Sequence, residues 1–227
     1  MSKIDKPVLV FVPGLGATGV VYEPLLKRLR KTYDVRVAMH PLEFPQRLDW
    51  NFFFRPIDQA AGSAKEFRLL GHSMGGAIAL AYAARYPKRV RRVVAVAPPT
   101  TPRRHAEFRG LTRFRFWRRL QNLALGIRSG NPSHALESVR IRSDVLADGR
   151  RQRLYDWANQ VDLSRDLSKL RNASVLWMGS DEVLYRDHLE LVKQHPSVSL
   201  KIIPGSHNYL PLHPGPIFKY VKEALDG

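Results

Sequence analysis

The sequence predicts an α/β fold, with a mostly parallel central sheet, flanking helices and a helical cap inserted in the middle of the chain. Three observations predict it. Short apolar runs alternate with amphipathic segments before residue 100 and again after residue 170. A Gly-His-Ser-Met-Gly-Gly stretch at 71–76 joins an apolar run to an alanine-rich one. The stretch 100–170 offers helical spacing and no convincing strand. The expected organisation is therefore a core built from 1–99 and 171–227, with 100–170 as a helical cap (lid).

Pro7 to Val12 is a continuous apolar run bounded by prolines, which suits a strand covered on both faces. It enters Pro13-Gly14-Leu15-Gly16-Ala17-Thr18-Gly19, a glycine-rich loop whose backbone N–H groups could cradle a phosphate or form an oxyanion hole. The nucleotide reading is poor, because no Gly-Lys-Ser/Thr follows and the Gly-x-Gly-x-x-Gly spacing is incomplete. Tyr22 to Lys31 places Leu25, Leu26 and Leu29 among basic residues, an amphipathic helix. Val35 to Met39 is a strand candidate. Leu42 to Arg55, with prolines nearby and the aromatic group Trp50, Phe52, Phe53 and Phe54, reads as an ordered loop, and Ile57 to Ala64 as a short helix.

Phe67 to Leu70 is of strand type and Ala77 to Tyr86 of helix type, so Gly71-x-Ser73-x-Gly75 falls at a strand-to-helix junction. An incidental serine in a glycine-rich turn carries the same letters; the flanking strand and helix favour a functional elbow. In such a turn the serine backbone is strained and glycine at 71 and 75 removes side chains that would collide. Val90 to Val96 is the next strand. Within 100–170, Leu111, Phe114, Trp117, Leu120 and Ala124 fall on one side of a helix, with Arg115, Arg118 and Arg119 on the other. Strands resume at Ala173 to Met178 and Val198 to Ile203, with helices expected over Arg186 to Gln194 and Phe218 to Leu225.

A chain of 227 residues can bury one substantial core. Its apolar runs are too short for a bilayer span, and the first seven residues lack the apolar core of a secretory signal, so a cytoplasmic location is expected. Absence of cysteine excludes disulfides and thiolate chemistry. The net charge of +17 is concentrated: between Thr100 and Arg153 thirteen arginines face four acids. That surplus is either a solvated surface or an attraction for an anionic substrate, an acidic carrier or a membrane surface.

At Ser73, Asp181 or Glu182, and His207, the chain resembles the α/β-hydrolase family, as a serine esterase/lipase-like member, over nearly its whole length. The family's order is nucleophile, acid, histidine, each at the carboxyl end of a strand, and these residues occur in that order. The resemblance implies a serine hydrolase that cleaves carboxylic esters through an acyl-enzyme. Ser73 is a poor nucleophile until a base takes its proton, and His207 can take it and return it to the leaving group. A carboxylate behind the imidazole fixes its tautomer. Spacing from Gly179 selects Glu182, the commoner residue type selects Asp181, and Asp181 is preferred. By resemblance the oxyanion donors are the backbone N–H groups of Leu15 and Met74. His72 is a packing or pocket-wall residue, and Phe114 and Trp117 are candidate pocket residues. No metal or cofactor is assigned, since His40, His105, His134, His188, His195 and His213 lack metal-ligand company.

Two alternatives accompany the esterase reading. One is a thioesterase acting on acyl-CoA or acyl-carrier substrates, motivated by the arginines from 103 to 119. The other is a non-catalytic binder of anionic lipid or nucleic acid, suggested by Arg113-Phe114-Arg115-Phe116-Trp117-Arg118-Arg119. No recognised nucleic-acid motif supports the latter, which makes nucleic acid the less favoured partner.

Overall fold

A computed structural model describes residues 6–15, 19–39, 45–102, 149–179, 186–205, 207, 210 and 214–227. Elements are numbered through these residues alone. Six strands, β1 (Val8–Val12), β2 (Asp34–Val37), β3 (Phe67–His72), β4 (Val90–Val96), β5 (Ala173–Met178) and β6 (Val198–Ile203), form one sheet in the order β2-β1-β3-β4-β5-β6. Every pairing is parallel. All carboxyl ends therefore share one edge. The chain steps from β1 outward to β2, then back to β3 on the other side of β1, so the crevice between the carboxyl ends of β1 and β3 is the topological switch point.

Strand alternation divides the core into two layers. Val10, Val12, Leu69, Val93, Ala95, Val175 and Trp177 face one layer, which holds Phe53, Phe54 and Ile57 of α2 (Trp50–Ala61) and Ala77 to Ala84 of α3 (Met74–Arg85). Leu9, Phe11, Leu70, Val94, Val96, Leu176 and Met178 face the other, against α1 (Glu23–Leu29) and a C-terminal helix (Pro214–Asp226). Helices on both faces are what near-continuous apolar strands require, because neither face can meet water without loss.

The largest boundary differences from the sequence expectation are the starts of three helices. The first helix after β2 starts at Trp50, inside the stretch read as a loop, because Asp49 accepts the Phe52 N–H at 2.9 Å and Phe53, Phe54 and Ile57 then fall on one buried face. Pro56 lies within that helix, where a proline is tolerated once the packed face holds the turn. The alanine-rich helix starts directly at Met74 despite Gly75 and Gly76. The last helix starts at Pro214, where a missing N–H costs nothing.

Within 100–170 the described residues include α4 (Gly149–Ala158) and α5 (Ser164–Leu167). Leu154, Leu163, Leu167 and Leu170 join the core layer that contains α3. Residues 103–148, with Phe114 and Trp117, lie outside the described residues. The chain leaves β4 through Thr100, whose N–H donates to Nδ1 of His188 at 3.0 Å; His188 sits on α6 (Arg186–Lys193). The C-terminal helix Pro214–Asp226 is α7. Among the described residues no helix is long and apolar enough to cross a membrane.

Candidate active site at the carboxyl edge of the sheet

Ser73 is the single residue between β3 and α3, with φ 53° and ψ −126°. That positive φ costs a non-glycine residue about 1–3 kcal/mol, and persists only where its surroundings dictate it. They do so through hydrogen bonds: the Ser73 N–H donates to the Val96 carbonyl at 2.8 Å, and the Ser73 carbonyl accepts from Gly76 at 2.8 Å. The serine is thus fixed by β4 behind it and by the first turn of α3 ahead.

Close approach explains the two glycines. A Cβ on Gly71 would run into the Gly75 carbonyl, and one on Gly75 into the carbonyls of Val12 and Pro13. The first turn of α3 therefore lies directly on the ends of β3 and β1. Met74, the first residue of that helix, carries one of the N–H groups that a helix start leaves without an intrahelical partner. Leu15 follows β1 in the adjacent turn, half-buried against the core layer that holds α3.

His207 is four residues beyond the end of β6 and half-buried. Its carbonyl accepts a hydrogen bond from Nε2 of His72 at 2.9 Å, and the two rings lie 4.9 Å apart between centroids. Since His72 immediately precedes Ser73, this bond holds residue 207 against the strand end that carries the serine. His72 is 3% exposed. Nδ1 of its ring meets the Tyr22 hydroxyl at 2.8 Å, and that hydroxyl oxygen accepts the Gly14 N–H at 3.0 Å. Burial, with a smaller contribution from the neighbouring His207, holds the His72 imidazole well below its ordinary pKa of 6.5, partly opposed by its bond to the His207 carbonyl. Burial likewise pushes the Tyr22 phenol upward, partly opposed by the Gly14 N–H.

The structure thus puts His72 in contact with His207, with Ser73 and Met74 next along the chain and Leu15 packed on the core layer that holds α3, while Asp181 and Glu182, just past β5, lie outside the described residues. His72, read as packing or pocket wall, is a buried hydrogen-bonded group joining two loops. Tyr22 was missed as a site residue. Its partner is 50 positions away, so no local periodicity could mark it.

A family profile described as the alpha/beta hydrolase fold matches residues 53–205. A search of curated protein sequences finds no match. Among solved structures, a hydrolase from Pseudomonas aeruginosa is similar at TM-score 0.73 and 19% identity, covering 100% of this chain and 92% of its own. A lipase-esterase related protein from Clostridium acetobutylicum is similar at 0.69 and 20%, covering 98% of this chain and 96% of its own. The thioesterase domain from the curacin biosynthetic pathway is similar at 0.66 and 13%, covering 98% and 93%. With the profile spanning well over half its length, and a strained serine between strand and helix at the expected place, the chain belongs to the alpha/beta hydrolase fold family.

Proposed function

We propose that this chain is a serine hydrolase that cleaves carboxylic esters through an acyl-enzyme. Ser73 attacks the ester carbonyl while His207 takes its proton, and His207 then protonates the departing alcohol. Water repeats the cycle in reverse and frees the acid. Asp181, or Glu182 in its place, orients the imidazole. The N–H groups of Met74 and Leu15 receive the oxyanion; Gly14, whose N–H is committed to Tyr22, leaves Leu15 as the next donor in that turn. Phe114 and Trp117 contribute to the acyl pocket, and the enzyme works in the cytoplasm on a small-molecule ester.

The observation that carries this reading is Ser73 itself: a non-glycine residue held at φ 53° between β3 and α3, one position from the histidine that binds residue 207. A general glycine-rich turn has no need to keep a hydroxyl in that conformation. A fluorophosphonate probe tests it. Labelling at Ser73 that disappears in Ser73→Ala and falls sharply in His207→Ala is expected; no labelling of the folded wild type overturns the reading.

Charge favours a second substrate class. The net charge of +17, concentrated in 100–153, supports an acyl thioester on a phosphate-bearing or acidic carrier, with the same serine chemistry. Nitrophenyl esters of rising acyl length, run beside acyl-CoA substrates at low and high salt, separate the two. A preference of kcat/KM for acyl-CoA that collapses with salt selects the thioester.

A further inference from the structure

We propose that Tyr22 and His72 are positioning residues that fix the loop of His207 to the serine elbow and to the glycine loop after β1. The inference rests on the reading of His207 as the general base. It begins with proton accounting. The His207 carbonyl can only accept, so Nε2 of His72 carries the proton in their 2.9 Å bond. Nδ1 then holds the lone pair, and the Tyr22 hydroxyl donates to it at 2.8 Å. With its proton committed, the Tyr22 oxygen accepts the Gly14 N–H at 3.0 Å.

Every hydrogen in this chain has one place. It runs in one direction, from Gly14 through Tyr22 and His72 to His207, and joins the segments that follow β1 and β6 to the last residue of β3. Both side chains are almost fully buried, where a half-satisfied polar network is worse than an apolar filler. Packing alone would be served by a leucine and a phenylalanine. Space is also kept for the link: a Cβ at Gly14 would stand 2.9 Å from the Tyr22 oxygen and 3.3 Å from Nδ1 of His72. The ring of Tyr22 is held by an edge contact with Phe11 of β1, at 4.7 Å between centroids, so the relay is anchored in the sheet. Burial favours the neutral form of both groups, so the relay is a tether between uncharged partners.

A general base acts only when its reacting nitrogen is held at the nucleophile, so a loosened tether lowers the chemical step and leaves substrate binding intact. The test uses a nitrophenyl ester with wild type, His72→Leu, His72→Gln and Tyr22→Phe, each checked for native melting. Misplacing a catalytic group typically costs up to about 100-fold, so His72→Leu is expected to lower kcat by about 10–100-fold with KM within about threefold. The His72→Gln amide can still donate to the His207 carbonyl, and it is expected to recover most of the loss. Tyr22→Phe keeps the ring and removes only the hydroxyl; its expected loss in kcat is about 3–10-fold, which carries the test if the leucine variant does not fold. Natively melting variants that keep wild-type kcat, or a glutamine no better than leucine, overturn the relay while the esterase reading stands. A wild type inert to esters, thioesters and fluorophosphonate overturns the reading beneath it, and the relay's positioning role with it.

Discussion

Two adjacent strands end in the same backbone device and put it to different ends. β3 ends one residue before Ser73 at φ 53°, and β4 ends one residue before Ala97 at φ 49°. Each end also meets a buried imidazole, His72 beside the serine and His188 beyond the alanine. Past Ala97 come Pro98, Pro99 and Thr100; the N–H groups of Thr100 and Thr101 both converge on Nδ1 of His188, at 3.0 and 3.2 Å. The Thr100 hydroxyl donates to the His188 carbonyl at 3.1 Å. Here the imidazole receives backbone donors and fastens an exit from the sheet. At β3 the imidazole reaches across to a loop that carries another histidine. A left-handed residue at a strand end is therefore a structural device available to any sheet, and the two ends differ in the side chain displayed and in the partner of the neighbouring histidine.

The sharpest contrast is at the two left-handed residues. Ser73→Gly is expected to lower ester turnover by about 10⁴-fold or more, as loss of a nucleophile does, while Ala97→Gly keeps it. Both relieve positive φ, so the melting temperature should hold or rise in each, by an amount equivalent to about 1 kcal/mol or less. Equal turnover in the two variants would erase the distinction drawn between the strand ends.

Next in size is the packing of the elbow. Gly75→Ala forces a methyl into the backbone carbonyls of Val12 and Pro13, neither of which can swing aside, and should destabilise by about 3 kcal/mol. Gly179→Ala, at the end of β5, meets nothing nearer than 3.6 Å and should be close to neutral in urea titration.

The two histidines come third. His188→Leu strands the N–H groups of Thr100 and Thr101 and is expected to lower stability by about 1–3 kcal/mol, with kcat of the folded fraction within about threefold of wild type. His72→Leu should show the opposite balance, losing turnover in the folded enzyme. If both variants lose only stability, the strand ends are equivalent.

The smallest effect is in pH. His72 titrates well below 6.5 when folded and near 6.5 when unfolded, so the unfolded chain binds the extra proton as pH falls. Stability from this group is full above about 6.5 and declines below it, by at most about 1.4 kcal/mol per pH unit, until the folded value is reached. Urea midpoints measured from about pH 7.5 to about pH 5 should therefore fall less steeply in His72→Gln than in wild type.

Much of the fold was legible because it rests on local patterns. Val8–Val12, Val90–Val96 and Ala173–Met178 are strands where apolar runs demanded burial on both faces, and the parallel order followed from helices between them. The elbow was legible for the same reason: Gly71 and Gly75 flank a serine at a strand-to-helix junction, and both prove to be sites of backbone contact. Trp50 to Arg55 was misread, because Pro56 is a stop signal by local rules and a buried helical residue once Phe53, Phe54 and Ile57 pack beside it. Tyr22 was legible only as the start of an amphipathic segment, and His72 only as a packing or pocket-wall residue. Their pairing depends on β1 and β3 lying side by side, which periodicity in either segment does not encode.

The sequence by itself determined most of the strands and the strained turn, since these follow from residue size, backbone freedom and apolar spacing over a few positions. Only the tertiary structure decided which polar groups meet. The Gly14 N–H, the Tyr22 hydroxyl, the His72 ring and the His207 carbonyl come from segments as far as 193 positions apart, and a hydrogen bond forms only where the folded sheet brings donor and acceptor to within about 3 Å of each other.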